Sequence, residues 1–149
     1  MPTQLSPGDD LWMLATGAGV GPYLSILREG HIQEAFRHLV LVHSVRRAAE
    51  LAYHDEILQH QVSLPGRLHY VRIVTREPGA GSIQCRIPQA IEDGILQAHV
   101  SLPLDVSHSR VMVCGNPGFT ADMRQLLAGH SFQPCRRNLI GSMLFENYW

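Results

Sequence analysis

Residues 11–27 read LWMLATGAGVGPYLSIL, and this stretch decides the fold. The apolar run Leu11 to Thr16 has the length and character of a buried strand. It is followed at once by Gly17-Ala18-Gly19-Val20-Gly21-Pro22, with glycines at alternate positions. Tyr23, Leu24, Ile26 and Leu27 then recur at helical spacing, up to Gly30. Pro22 suits a first helical turn and Gly30 the position just past a helix end. A strand, a tight turn and a helix follow one another within twenty residues.

The same alternation continues outward along the chain. Further strands are predicted at His38 to His43, Leu68 to Thr75 and Arg110 to Cys114. Helices are predicted from about Arg47 to Gln61, at Pro88 to Asp93, at Gly94 to Val100 and from about Phe119 to Ala128. The stretch REPGAGS at 76–82, with its proline and two glycines, must be loop. The tail from Pro134 to Trp149 reads as a short fifth strand and an extended C-terminus. Strands alternating with helical segments build βαβ units. The expected architecture is α/β: a three-layer α/β/α domain around a doubly wound, mostly parallel five-stranded sheet. With 149 residues, one domain buries roughly two-thirds of its unfolded surface and needs no staple.

Composition narrows the function classes. Hydrophobic residues make up 45% and charged residues 17%, with a formal net charge of -1. That balance argues against nucleic acid or an anionic membrane as the main partner. The twelve basic residues are all arginine, whose planar fork grips phosphate or carboxylate bidentately. Cys85, Cys114 and Cys135 are an odd number without CxxC spacing. Neither a disulfide framework nor a metal knuckle is suggested, and a reducing cytoplasm is the expected compartment. No basic n-region opens the chain and no apolar run reaches membrane-spanning length, so neither export nor embedding is expected.

In doubly wound folds ligands bind beyond the carboxyl ends of the strands. After the first strand, the alternate glycines let backbone approach a pyrophosphate, and a helix N-terminus follows. A turn with no ligand is the alternative, since the spacing is GxGxG and not GxGxxG. After the second strand the chain reads His43-Ser44-Val45-Arg46-Arg47, with no acid until Glu50. An acid there would hold a ribose 2′-hydroxyl, whereas arginine accommodates a 2′-phosphate. Ser44 adds a hydroxyl; two arginines solvated at a helix start are the alternative. The third strand ends at Thr75-Arg76, and Arg86 follows ten residues later. Were that loop to fold back over the strand edge, three arginines from separate elements would meet. The fourth strand ends in Cys114-Gly115-Asn116-Pro117, a small-residue turn that leaves space for a flat ring; an inert buried Cys114 is the alternative.

Taken in order, LWMLATGAGVGPYLSIL, LVHSVRRAAELAY, VTRE, CRIP, VMVCGNP and the closing ENYW resemble the C-terminal NADP(H)-binding half of bacterial ferredoxin-NADP reductases. The resemblance runs from Leu11 to Trp149. It implies that Thr16, Gly17 and Gly19 line the nucleotide cleft, with Ala18 and Gly21 in the same loop. It implies that Arg46, Arg76 and Arg86 hold the 2′-phosphate, beside Ser44, Arg47 and Thr75. Cys114 and Asn116, with Gly115 and Pro117, are implied near the nicotinamide. Tyr148 is implied on the flavin ring and Trp149 toward the FAD adenine, so Cys114 and Tyr148 are the candidate catalytic positions.

The implied cofactors are NADP(H) and FAD, and the implied partners are ferredoxin or flavodoxin acting on the complete enzyme. The family's N-terminal flavin-binding β-barrel, with its arginine, tyrosine and small hydroxyl motif, has no counterpart in these 149 residues. FAD is therefore expected to bind mainly through a separate FAD-binding domain. Two other readings stay open here: a nucleotide-binding module without catalysis, and the NADPH domain of a related reductase with a different acceptor.

Overall fold

The computed structural model describes residues 5–135 and 140–147. Five strands, β1 (Asp10–Thr16), β2 (His38–Val45), β3 (Leu68–Val74), β4 (Ser109–Gly115) and β5 (Met143–Asn147), form one sheet in the order β3-β2-β1-β4-β5. Every pairing is parallel. The chain winds outward from β1 through β2 to β3, then crosses to β4 and β5 on the other side. Strand order therefore reverses between β1 and β4, the place where an open α/β sheet leaves a crevice.

Because neighbouring strand residues face opposite ways, β1 serves two cores at once. Leu11, Met13 and Ala15 pack with Leu39 and Leu41 against α1 (Gly21–Glu29), α2 (Ile32–Ala35) and α3 (His54–Ser63), through Tyr23, Leu24, Leu27, Ile32 and Ile57. Trp12 and Leu14 pack with Val40, Val42, Val111 and Val113 against α4 (Ile87–Glu92), α5 (Ile95–Val100) and α6 (Pro117–Gly129). Burying each large aliphatic side chain contributes roughly 1.5–3 kcal/mol, so the central strand anchors both layers. The buried Tyr23 hydroxyl donates to the Leu14 carbonyl at 2.9 Å, fixing α1 on β1. Among the described residues no helix is long and apolar enough to cross a membrane.

The expected architecture is the observed one, and a short fifth strand lies in the tail as anticipated. One boundary and one omission need correction. The helix expected from Arg47 to Gln61 begins only at His54. The strand ladder runs on past β2, with Arg76 donating its amide to the Arg46 carbonyl at 2.9 Å, and Arg47 is extended at φ -132°, ψ 148°. Backbone drawn out by the sheet cannot enter a helix there; a single 3-10 turn, Ala48–Glu50, intervenes, and Tyr53 sits left-handed at φ 60° before α3 starts. The short helix α2 was not anticipated. Four residues carry too little periodicity to register, and Arg67 holds this helix from outside, donating to the carbonyls of Gln33 and Phe36.

Candidate functional site

A cleft of about 670 Å³ opens across the carboxyl ends of the strands, within the roughly 300–1,000 Å³ of small-molecule sites. Thr16 and Gly17 from the end of β1, Ser44 to Arg46 from β2, Thr75 and Arg76 from β3, and Asn116 from β4 all reach it. Arg86, Ile87, Pro88 and Phe119 supply the facing wall, and Glu50 lies at the margin beyond Arg46.

Local structure explains how three arginines come together. Parallel register puts Val45 beside Val74, and the ladder continues one step past both strands, with Thr75 N–H on the Val45 carbonyl and Arg76 N–H on the Arg46 carbonyl. Arg46 and Arg76 are therefore neighbours on adjoining strand ends. The intervening loop folds back over the open edge of β3: Ile83 pairs with Ile73, and Ser82 donates to the Arg72 carbonyl at 3.0 Å. This return delivers Arg86 to the same cleft at the extended residue preceding α4. All three arginines are exposed, and among the described residues none of their guanidinium groups makes a hydrogen bond or ion pair.

The turn beyond Arg46 is held by carboxylates. Glu50 accepts from the Arg47 amide at 3.0 Å and Glu77 from the Ala48 amide at 3.2 Å. Since α3 starts at His54, Arg46 and Arg47 do not stand at its N-terminus; Arg47 only precedes the 3-10 turn Ala48–Glu50. The reading of two arginines solvated at a helix start therefore does not hold, and what marks the cleft is an excess of guanidinium groups over carboxylates. Three guanidinium groups and the Glu50 carboxylate leave the cleft with a surplus of two positive charges, suited to a dianion.

At the β1/β4 crevice the glycine turn packs directly on the end of β4. Residues Gly17–Val20 form a 3-10 turn that passes straight into α1. A Cβ at Gly19 would collide with the Cys114 carbonyl, and one at Gly115 with the Thr16 hydroxyl. Those two glycines are required because the turn lies on the backbone of β4 at Gly19 and the Thr16 side chain lies on the backbone of β4 at Gly115. Thr16 Oγ1 is itself buried with no hydrogen-bond partner in a residue that lines the cleft. An orphaned hydroxyl and three unpaired guanidinium groups lining one cleft are a donor set suited to a phosphorylated ligand.

Asn116 has a function the sequence reading missed. Its Oδ1 accepts from the Phe119 amide at 2.8 Å, capping α6; the signal was present in Asn116-Pro117, a capping residue followed by proline at the first helical position. Among the residues singled out from sequence, Thr16, Gly17, Ser44, Arg46, Thr75, Arg76, Arg86 and Asn116 line the cleft. Ala18, Gly19, Gly21, Arg47, Gly115 and Pro117 shape the turns around it without lining it. Cys114 is 1% exposed, behind Gly115 in β4, and does not line it either. Tyr148 and Trp149 lie outside the described residues.

Comparison with known proteins matches this geometry. The model of the oxidoreductase NAD-binding domain matches residues 13–125. The flavodoxin/ferredoxin–NADP reductase of Escherichia coli (strain K12) is 42% identical over 142 residues, covering 95% of this chain and 57% of that protein. The ferredoxin–NADP reductase A of Sorangium cellulosum is 35% identical, covering 95% of this chain and 53% of its own length. A crystal structure of a ferredoxin NADP+ reductase from Neisseria gonorrhoeae with bound FAD and NADP superposes with a TM-score of 0.91 at 29% identity, covering all of this chain and 60% of that one. The chain thus spans somewhat over half the length of the curated relatives it matches. With its sheet order, glycine turn and matched residues, it belongs to the oxidoreductase NAD-binding domain family.

Proposed function

We propose that this chain is the NADP(H)-binding part of a flavin-dependent ferredoxin/flavodoxin–NADP(+) reductase. The observation that carries this reading is the meeting of Arg46, Arg76 and Arg86, unpaired, in one cleft of the sheet's carboxyl edge. Their forks suit the three oxygens of a 2′-phosphate, and Ser44 and Thr75 add hydroxyls beside them. The glycine turn and Thr16, across the cleft, take the pyrophosphate and nicotinamide end. Bound NADP(H) supplies the hydride chemistry; the protein's contribution is position and electrostatics.

Asn116 retains its amide nitrogen for the ligand, since its oxygen caps α6. Cys114 shapes the floor beneath the nicotinamide end and is not a nucleophile, because its side chain is sealed from the cleft. Tyr148 and Trp149 are assigned to the flavin side, and FAD to an FAD-binding domain outside these 149 residues. Ferredoxin or flavodoxin is the redox partner in this reading, supported by the relatives' names. The cytoplasm is its compartment, supported by three cysteines without CxxC spacing.

Calorimetric titration of the 149-residue chain with NADP+ and NAD+ tests the reading. NADP+ is expected to bind at least about tenfold more tightly, because a charge-assisted phosphate contact contributes about 1.5–3 kcal/mol. Equal affinities for the two nucleotides overturn it.

A further inference from the structure

His43, near the end of β2, is 0% exposed. It stands level with Ala15 of β1 and Arg72 of β3, on the strand face that carries Leu39 and Leu41. Its Nε2 lies 2.8 Å from the carbonyl oxygen of Gly17. A carbonyl oxygen only accepts, so Nε2 carries the proton and donates. Nδ1 then holds the lone pair, and it is buried with no hydrogen-bond partner. A second proton there would bury an N–H with no acceptor. Burial correspondingly pushes the imidazole below its ordinary pKa, against the opposing pull of the Gly17 carbonyl. His43 is thus a neutral donor locked in one tautomer.

The carbonyl it holds belongs to a residue that lines the cleft. A peptide unit offers an acceptor on one side and a donor on the other. An oxygen turned toward an anionic ligand repels it; an oxygen bonded to a fully buried imidazole is withdrawn from the cleft. The tether is long in sequence, joining positions 26 residues apart, and it ties the turn to β2, as the close approach of Gly19 to Cys114 sets it against β4.

We propose that His43 is a positioning residue for the dinucleotide: its Nε2–H draws the Gly17 carbonyl inward and so sets the glycine turn in the shape that admits the pyrophosphate and nicotinamide end. The 2′-phosphate end, held by Arg46, Arg76 and Arg86, does not depend on it. The inference rests on the NADP(H) reading above.

Two ligands and two variants test it. NADP+ spans both ends of the cleft, whereas 2′-AMP occupies only the arginine end. His43→Leu keeps the volume and removes the donor; His43→Gln places an amide N–H at a similar reach. Leucine is expected to weaken NADP+ about tenfold, the scale of one buried hydrogen bond, while 2′-AMP changes less than about twofold by the same principle; glutamine restores most of the NADP+ affinity. Long-range proton–nitrogen spectra of the wild-type chain at neutral pH should report the Nε2–H tautomer.

Equal losses for both ligands, no loss for either, failure of glutamine to rescue, or an Nδ1–H tautomer overturns the proposal. Should His43→Leu fail to fold, His43→Asn, whose amide is too short to reach Gly17, replaces it with the same expected split. Wild-type chain that binds neither ligand overturns the NADP(H) reading itself.

Discussion

The two ends of the sheet use the same side chain in opposite ways. At the amino end Arg110 is 9% exposed, and its guanidinium donates to four backbone carbonyls: Ser6 at 3.1 Å, Pro7 at 2.6 Å, Val106 at 2.8 Å and Ser109 at 2.6 Å. At the carboxyl end Arg46, Arg76 and Arg86 are exposed and unpaired within one cleft. Residue type does not separate these roles; saturation of the donors does. An arginine whose N–H groups are spent on carbonyls ties backbone together, and at Arg110 burial pulls the pKa below the usual guanidinium range against the opposing pull of the Asp9 carboxylate. An arginine with idle donors in a cavity is waiting for an anion.

Breaking the amino-end arginine should have the largest effect. Arg110→Ala strips four carbonyls of their donor and opens a gap beside Gly8, whose neighbourhood the Arg110 stem fills. It is expected to destabilise the chain by about 2–4 kcal/mol in denaturant unfolding, with NADP+ affinity of the folded fraction unchanged. A loss of stability under about 0.5 kcal/mol would mean that water satisfies those carbonyls as well.

Next come the cleft arginines taken singly. Arg46→Ala, Arg76→Ala and Arg86→Ala should each weaken NADP+ by about tenfold or more in calorimetry, with NAD+ affinity little changed and the unfolding midpoint held. Equal losses for both nucleotides would assign these side chains to the structure, as for Arg110.

A smaller effect of opposite sign is expected at Glu50, the one carboxylate lining the cleft among the described residues. Glu50→Gln removes a negative charge near the bound dianion while keeping an oxygen for the Arg47 amide. NADP+ affinity should rise about two- to fivefold at low salt and less at high salt; no change at low salt would put the carboxylate out of range.

The smallest effect belongs to a third kind of arginine. Arg28 is exposed but paired, with both oxygens of Glu56 in reach and His60 on the same carboxylate. Arg28 first, then His60, hold Glu56 down to about 2. A depressed carboxylate adds stability that is present above its ordinary value of 4.5 and is lost as pH falls through about 2. In a solvated pair that contribution is slight. Glu56→Gln should flatten the acid limb of a melting-temperature profile below pH 4.5 and leave nucleotide binding untouched; any shift in NADP+ affinity would connect α3 to the cleft.

The contrast also explains what could be read from the chain and what could not. The glycine turn, the strand order class and the individual arginines carry local signals: alternate glycines ahead of Pro22, apolar runs, and Arg46 where an acid would mark a 2′-hydroxyl. The meeting of Arg86 with the others needed the loop at 76–86 to pair Ile83 with Ile73, a contact that no local pattern encodes. The late start of α3 was hidden for a similar reason, since the ladder from Arg76 to Arg46 overrides local helical spacing. His43 looked like one more strand residue; only the fold brings Gly17, 26 positions away, onto its ring.

The central claim, that three unpaired arginines form a seat for a 2′-phosphate, is tested most directly by phosphorus NMR of that phosphate through a pH titration. Free in solution such a monoester loses its second proton near pH 6. Bound to the wild-type chain, its pKa should fall clearly below the free value, because the guanidinium groups favour the dianion. In the Arg46→Ala/Arg76→Ala double variant, saturated with NADP+, most of that depression should disappear. A 2′-phosphate that titrates at its free value while NADP+ is bound to the wild-type chain contradicts the account.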